Sequence, residues 1–98
     1  MAHLRIHRYA VEPADVEELI ARRTKLIAVM RAAGLGLAET RLIRLEDGTF
    51  VDYWRWDDAE QMRAAGAGIA AGKFPEARAA MSLTRDKTDE DGELVDER

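Results

Sequence analysis

Apolar and polar residues alternate from the start of the chain. In HLRIHRYAV, residues 3–11, Leu4, Ile6 and Ala10 fall on one side and His3, Arg5, His7 and Tyr9 on the other, the period-two pattern of a strand. Pro13 ends it. Val16, Leu19, Ile20, Leu26, Ile27 and Met30 then recur at helical spacing until Gly34 and Gly36, and Asp15 with Glu18 has the form of a capping box, so the spacing predicts an amphipathic helix over about 14–33. Arg22, Arg23 and Lys25 fall on or near its polar side and read as a solvated face, with Glu18 and Arg22 a favourable i,i+4 pair.

The stretch from Thr40 to Met62 carries the strongest local signal, two β-rich runs about Asp47-Gly48. Asp and Gly tolerate the positive φ values of a tight hairpin turn. A two-residue loop sets Leu45 opposite Phe50, Ile43 opposite Asp52, Arg41 opposite Trp54 and Glu39 opposite Trp56, with Arg44, Leu42 and Thr40 opposite Val51, Tyr53 and Arg55 on the other side. Asp57 and Glu60 form a second capping-box pattern, opening a helix through Met62, Ala65 and Ile69, with a break near Gly72-Lys73. Pro75 suits the first turn of a short helix through Ala80. The acidic segment 85–98 is either a disordered tail or, as favoured here, ends in a strand at Glu93–Glu97 around Leu94-Val95.

The order β-α-β-β-α-(α)-β predicts an α+β, ferredoxin-like split βαβ antiparallel sheet with helices on one face, in a single domain spanning 1–98. Both faces of the hairpin carry large apolar groups. Helices cover only one face, so the other calls for a second copy of the chain in an isologous homodimer.

Charge and composition narrow the function. The chain has 98 residues and a net charge of -4; residues 1–84 hold 12 basic and 12 acidic residues, and residues 85–98 hold 3 and 7. A balanced body argues against nucleic-acid binding, which needs a basic face to displace counterions. No apolar run nears the roughly 20 residues of a membrane span, and no signal-peptide segment opens the chain, so a soluble cytoplasmic protein without a membrane partner is expected. With no cysteine there are no disulfides, thiolate nucleophiles or zinc–thiolate sites. His3 and His7 lie about 13 Å apart on a strand at roughly 3.3 Å per residue, too far to share an ion, and no metal is expected. The Gly66, Gly68, Gly72 spacing misses a nucleotide loop and reads as close helix packing. Ser82 is the only serine and lacks a nucleophile elbow.

Val11-Glu12-Pro13 leading into a helix, the R-L-I-R-x-x-D-G-T-F-V hairpin, and Trp56-Asp57-Asp58-Ala59 opening the second helix together resemble the antibiotic biosynthesis monooxygenase family of dimeric α+β barrel proteins, over roughly residues 3–80. The resemblance implies a homodimer whose sheets close into a barrel, with a lumen that in active relatives takes up quinols, polyketide aromatics or haem and oxidises them without flavin or metal. Trp56 matches a tryptophan that many relatives carry where the third strand meets the second helix, a packing position as often as a chemical one. Trp54 stands where many relatives have a carboxylate, and Ala/Gly-rich AAGAGIAAG stands where relatives often place histidines. The chain has no asparagine, which haem-degrading relatives use in the first strand, so haem degradation is not expected.

Oxygenation without a cofactor requires a base that deprotonates an electron-rich substrate in a dry pocket. His7 is the candidate base, Tyr9 a hydrogen-bond donor, Arg41 a cation, Asp52 an orienting carboxylate, and Trp54 and Trp56 a surface for the substrate, provided their faces turn to the lumen. Otherwise His7 and Tyr9 are dimer-interface residues and Arg41 stacks on Trp54 across the strands. The two functions that follow are a cofactor-independent monooxygenase-like homodimer binding an aromatic or quinol-type molecule in the barrel, and a catalytically silent ligand-binding or scaffold dimer of the same fold.

Overall fold

The computed structural model describes residues 1–98. Four strands, β1 (His3–Val11), β2 (Leu37–Arg44), β3 (Phe50–Trp56) and β4 (Thr84–Glu93), and three helices, α1 (Val16–Ala32), α2 (Ala59–Ala70) and α3 (Pro75–Met81), occur in the order β1-α1-β2-β3-α2-α3-β4. The sheet is antiparallel with strand order β2-β3-β1-β4, and the helices lie on one face. This is the expected α+β, ferredoxin-like plan.

Local signals differ in detail. A 3-10 turn at Pro13–Asp15 precedes α1, and Asp15 makes no side-chain cap, so the first capping box does not form. The second lies one residue later than its spacing suggests: Asp58 accepts a 2.8 Å hydrogen bond from the Gln61 backbone N–H. Gly72 breaks the chain after α2 at φ 78, as expected, and Pro75 opens α3. β4 ends where a strand at 93–97 was to begin. Its residues carry no apolar alternation; backbone pairing with β1, together with the Arg5–Asp91, His7–Asp89 and Arg8–Glu90 pairs across it, makes them a strand, with Asp86 at φ 56 where the register shifts.

The hairpin loop has three residues, not two. Gly48 N–H donates to the Leu45 carbonyl at 3.0 Å, Leu45 N–H to the Thr49 carbonyl at 2.8 Å, and Gly48 takes φ 88, the form of a type I turn closed by a left-handed residue. Asp47 Oδ1 accepts from both the backbone N–H and the hydroxyl of Thr49. From Arg44 to Glu39 each pair therefore moves by one residue, so that Leu42 faces Asp52, Arg41 faces Tyr53 and Thr40 faces Trp54, and a further shift sets Leu37 opposite Trp56. A one-residue slip exchanges faces, and Arg41 leaves the side that holds Asp52, Trp54 and Trp56.

The core is in two parts. One gathers Trp54, Trp56, Leu26, Met30, Met62 and their neighbours; the other gathers Tyr9, Val11, Leu19, Phe50 and Ala80. Alternate β3 residues from Phe50 to Trp56 are buried beneath the helices. The opposite sheet face carries Leu4, Ile6, Ile43, Val51 and Tyr53, with Ile43 45% exposed, and Arg8–Glu90 and Arg55–Glu97 ion pairs lie toward its margins. No helix is long and apolar enough to cross a membrane.

Candidate functional site

Strand register decides which candidates meet. In β1, His7 pairs with Asp52 and Tyr9 with Phe50, so His7, Tyr9, Asp52, Trp54 and Trp56 all share the helix-covered face. Arg41 lies on the other face, 67% exposed and paired with Glu39.

Beneath α1 the carboxylate of Asp52 is wholly buried and saturated with donors. Arg23 gives it Nη2 at 2.8 Å and Nε at 3.0 and 3.2 Å, the Tyr9 hydroxyl donates at 2.8 Å, and Trp54 Nε1 donates at 2.8 Å. The Arg23 guanidinium also stacks over Trp54, 5.5 Å from the ring centroid, which is the cation–π contact Arg41 was to make. Burial first, then the Asp52 charge and the hydrogen bond to it, raise the Tyr9 hydroxyl well above its ordinary pKa against the opposing Arg23 charge. Trp56 stacks on Trp54 with centroids 6.3 Å apart, and its buried indole N–H has no partner.

Arg23 is a residue that the solvated-face reading of α1 misses, and it is only 11% exposed. The signal was its spacing: 19, 23, 26 and 30 is one continuous stripe of a helix, and Leu19, Leu26 and Met30 are its other members. Arg22 is also engaged, through Glu18 and the Ala79 carbonyl.

Beside this knot a pocket of about 210 Å³ opens between the sheet and the helices. Leu26, Met30, Met62 and Ile69 contribute to its apolar walls, Trp54 and Trp56 to its floor, and Arg5, His7, Lys87 and Asp89 to its polar side. Tyr9, Asp52 and Arg41 do not line it. The pocket is lined by this chain alone, on the helix-covered side of its sheet.

The carboxylate at His7 is Asp89 of β4. Nδ1 of His7 lies 2.5 Å from Asp89 Oδ1, and Lys87 Nζ donates to the same carboxylate at 2.8 and 2.9 Å. Burial pushes Asp89 up, but the hydrogen bonds from Lys87 and His7 outweigh it and hold the group below the usual carboxylate value. One row along, Arg5 makes a two-pronged bond to Asp91 at 2.7 and 3.1 Å, which raises Arg5 and lowers Asp91. No group of three or more His, Asp or Glu side chains is gathered as a metal site.

No family model matches the sequence, and neither does any curated protein. Solved structures do match along its whole length. SnoaB from Streptomyces nogalater, a cofactor-independent oxygenase, is 26% identical with a TM-score of 0.65, covering 99% of this chain and 94% of its own. Rv0793 from Mycobacterium tuberculosis is 18% identical with a TM-score of 0.70, covering 99% and 98%. The chain is antibiotic biosynthesis monooxygenase-like. A further structure, of an antibiotic biosynthesis monooxygenase, is 18% identical with a TM-score of 0.68, covering 98% of this chain and 100% of its own. In this antibiotic biosynthesis monooxygenase-like chain the match extends through β4, beyond the span over which the sequence motifs run.

Proposed function

We propose that the protein is a homodimeric, cofactor-independent monooxygenase-like protein that takes a single-ring hydroxy-aromatic or quinol-type molecule into the pocket of each subunit. The observation that carries this reading is a histidine at the edge of an otherwise largely apolar pocket. An apolar cavity of about 150 Å³ holds a benzene ring, so 210 Å³ fits one substituted ring. His7 takes a proton from the ring hydroxyl, and the apolar walls keep water from quenching the electron-rich anion before it reacts with dioxygen. One oxygen atom then bonds to the substrate, and the other leaves as water with two hydrogens from the substrate. Trp54 and Trp56 supply the flat surface on which the ring packs.

The likeness to SnoaB supports the oxygenase class. The apolar sheet face of Leu4, Ile6, Ile43, Val51 and Tyr53, ringed by charges, supports the homodimer. A second reading, a catalytically silent ligand-binding dimer, is favoured by one observation: Tyr9, Asp52 and the Trp54 N–H spend their hydrogen bonds on one another, so they act as a frame rather than on a ligand. Oxygen uptake with hydroquinone and methylhydroquinone probes separates the two. Uptake by the wild type that His7→Ala abolishes is expected, whereas background rates in both, with quenching of tryptophan fluorescence by the same compounds, would leave the binding reading.

A further inference from the structure

We infer that Asp89 of β4 is the positioning residue for His7, presenting the imidazole to the pocket with its proton on Nδ1 and its Nε2 lone pair free. This rests on the assignment of His7 as the base, and goes beyond it by naming the group that sets its state.

The geometry is specific. His7 and Asp89 are register partners on adjacent antiparallel strands, on the helix-covered face. Facing side chains at such a position are held together by the ladder itself. Nδ1 of His7 lies 2.5 Å from Asp89 Oδ1, so one proton lies between them. Asp89 also accepts twice from the Lys87 ammonium, which favours its ionised form. The shared proton therefore belongs to the imidazole, and a neutral ring donating from Nδ1 has its basic lone pair on Nε2. Both residues line the pocket.

The other candidates for this role are occupied. Asp52, across from His7 on β3, is committed to Arg23 of α1, Tyr9 and Trp54. On the same face, Arg5 of β1 is bound to Asp91 of β4. The side chains from α1, α2 and α3 that line the pocket are apolar: Leu26, Met30, Met62, Ile69, Ala77 and Met81. The charges that face His7 are thus Asp89 and Lys87 directly, with the Arg5–Asp91 and Arg23–Asp52 pairs beyond them.

Imidazole 15N chemical shifts of the full-length protein test this without any turnover, with His3→Gln used to assign the only other histidine. At neutral pH the wild type is expected to show His7 protonated at Nδ1 and bare at Nε2. Asp89→Ala should lose that preference, Asp89→Glu should restore it, and Lys87→Met should retain it. A wild-type His7 protonated at Nε2 overturns the inference whatever the variants do, and so does a tautomer unchanged in Asp89→Ala. Where oxygen uptake is measurable, Asp89→Ala should lower kcat about tenfold or more with KM unchanged. Absence of turnover in the wild type would count against the monooxygenase reading alone; the tautomer still decides the role of Asp89.

Discussion

Asp52 and Arg23 form an ion pair whose carboxylate is fully buried, and their surroundings make it unusually dependent on both members. The carboxylate is also the acceptor for Tyr9 and Trp54, so removal of the guanidinium leaves a buried charge with only neutral donors. Breaking such a pair costs about 3–5 kcal/mol, and Arg23→Met should lower unfolding free energy by that order in urea titrations. A loss within a few tenths of a kcal/mol would mean that water reaches the carboxylate. Tyr9 gives a pH signature. Its hydroxyl is raised in the folded state, so its contribution is intact below the unfolded value near pH 10 and is lost as pH climbs above it. The urea midpoint should fall above about pH 10, with a shallower fall in Tyr9→Phe; equal slopes would count against this assignment.

Among the elements, the hairpin teaches most about what the chain reveals in advance. Asp47-Gly48 announces a turn, but the pair fits a two-residue loop and equally the end of a three-residue one; the backbone bonds from Leu45 to Gly48 and Thr49 choose the latter. Gly48 then sits at φ 88 with open space around the place a Cβ would take, so only backbone strain resists a side chain there. Gly48→Ala should destabilise by about 1–2 kcal/mol, read as a drop in urea midpoint at constant slope. β1, the helices and β3 are legible because burial writes a period into their residues. β4 is not, because it is an exposed edge held to β1 by backbone bonding and by ion pairs with residues distant in sequence, neither of which writes a local apolar period. For the same reason His7 could be singled out as a candidate while Asp89 could not be paired with it: nothing local links positions 7 and 89. Arg23 was readable from its stripe, though its charge argued the other way.

For the molecule as a whole, one sheet face is sealed by helices and the other is bare. Its apolar centre, with Ile6 and Val51 on neighbouring strands and Ile43 beyond, meets an identical surface if two copies pack face to face about a twofold axis. Ile6→Lys places a charge at the middle of that patch and should turn a dimer into a monomer in size-exclusion with light scattering, with helical circular dichroism retained. A wild-type protein that elutes as a monomer at micromolar concentration would refute face-to-face pairing. Because the pocket lies on the helix side, the monomeric variant should keep its ligand affinity, so assembly and binding can be measured separately.

Strand order also bears on biosynthesis. β1 emerges first from the ribosome yet occupies the interior of the sheet, and its outer neighbour β4 is made last, with 82 positions separating His7 from Asp89. Contacts so distant along the chain close late. A nascent chain halted before β4 could pair β1, β2 and β3 and pack α1 upon them, but it would hold His7 without its carboxylate and leave one edge of β1 unpaired. The pocket lacks the Lys87 and Asp89 part of its polar side until β4 is made, so chains truncated before Thr84 would hold much of the core and none of the His7–Asp89 pair.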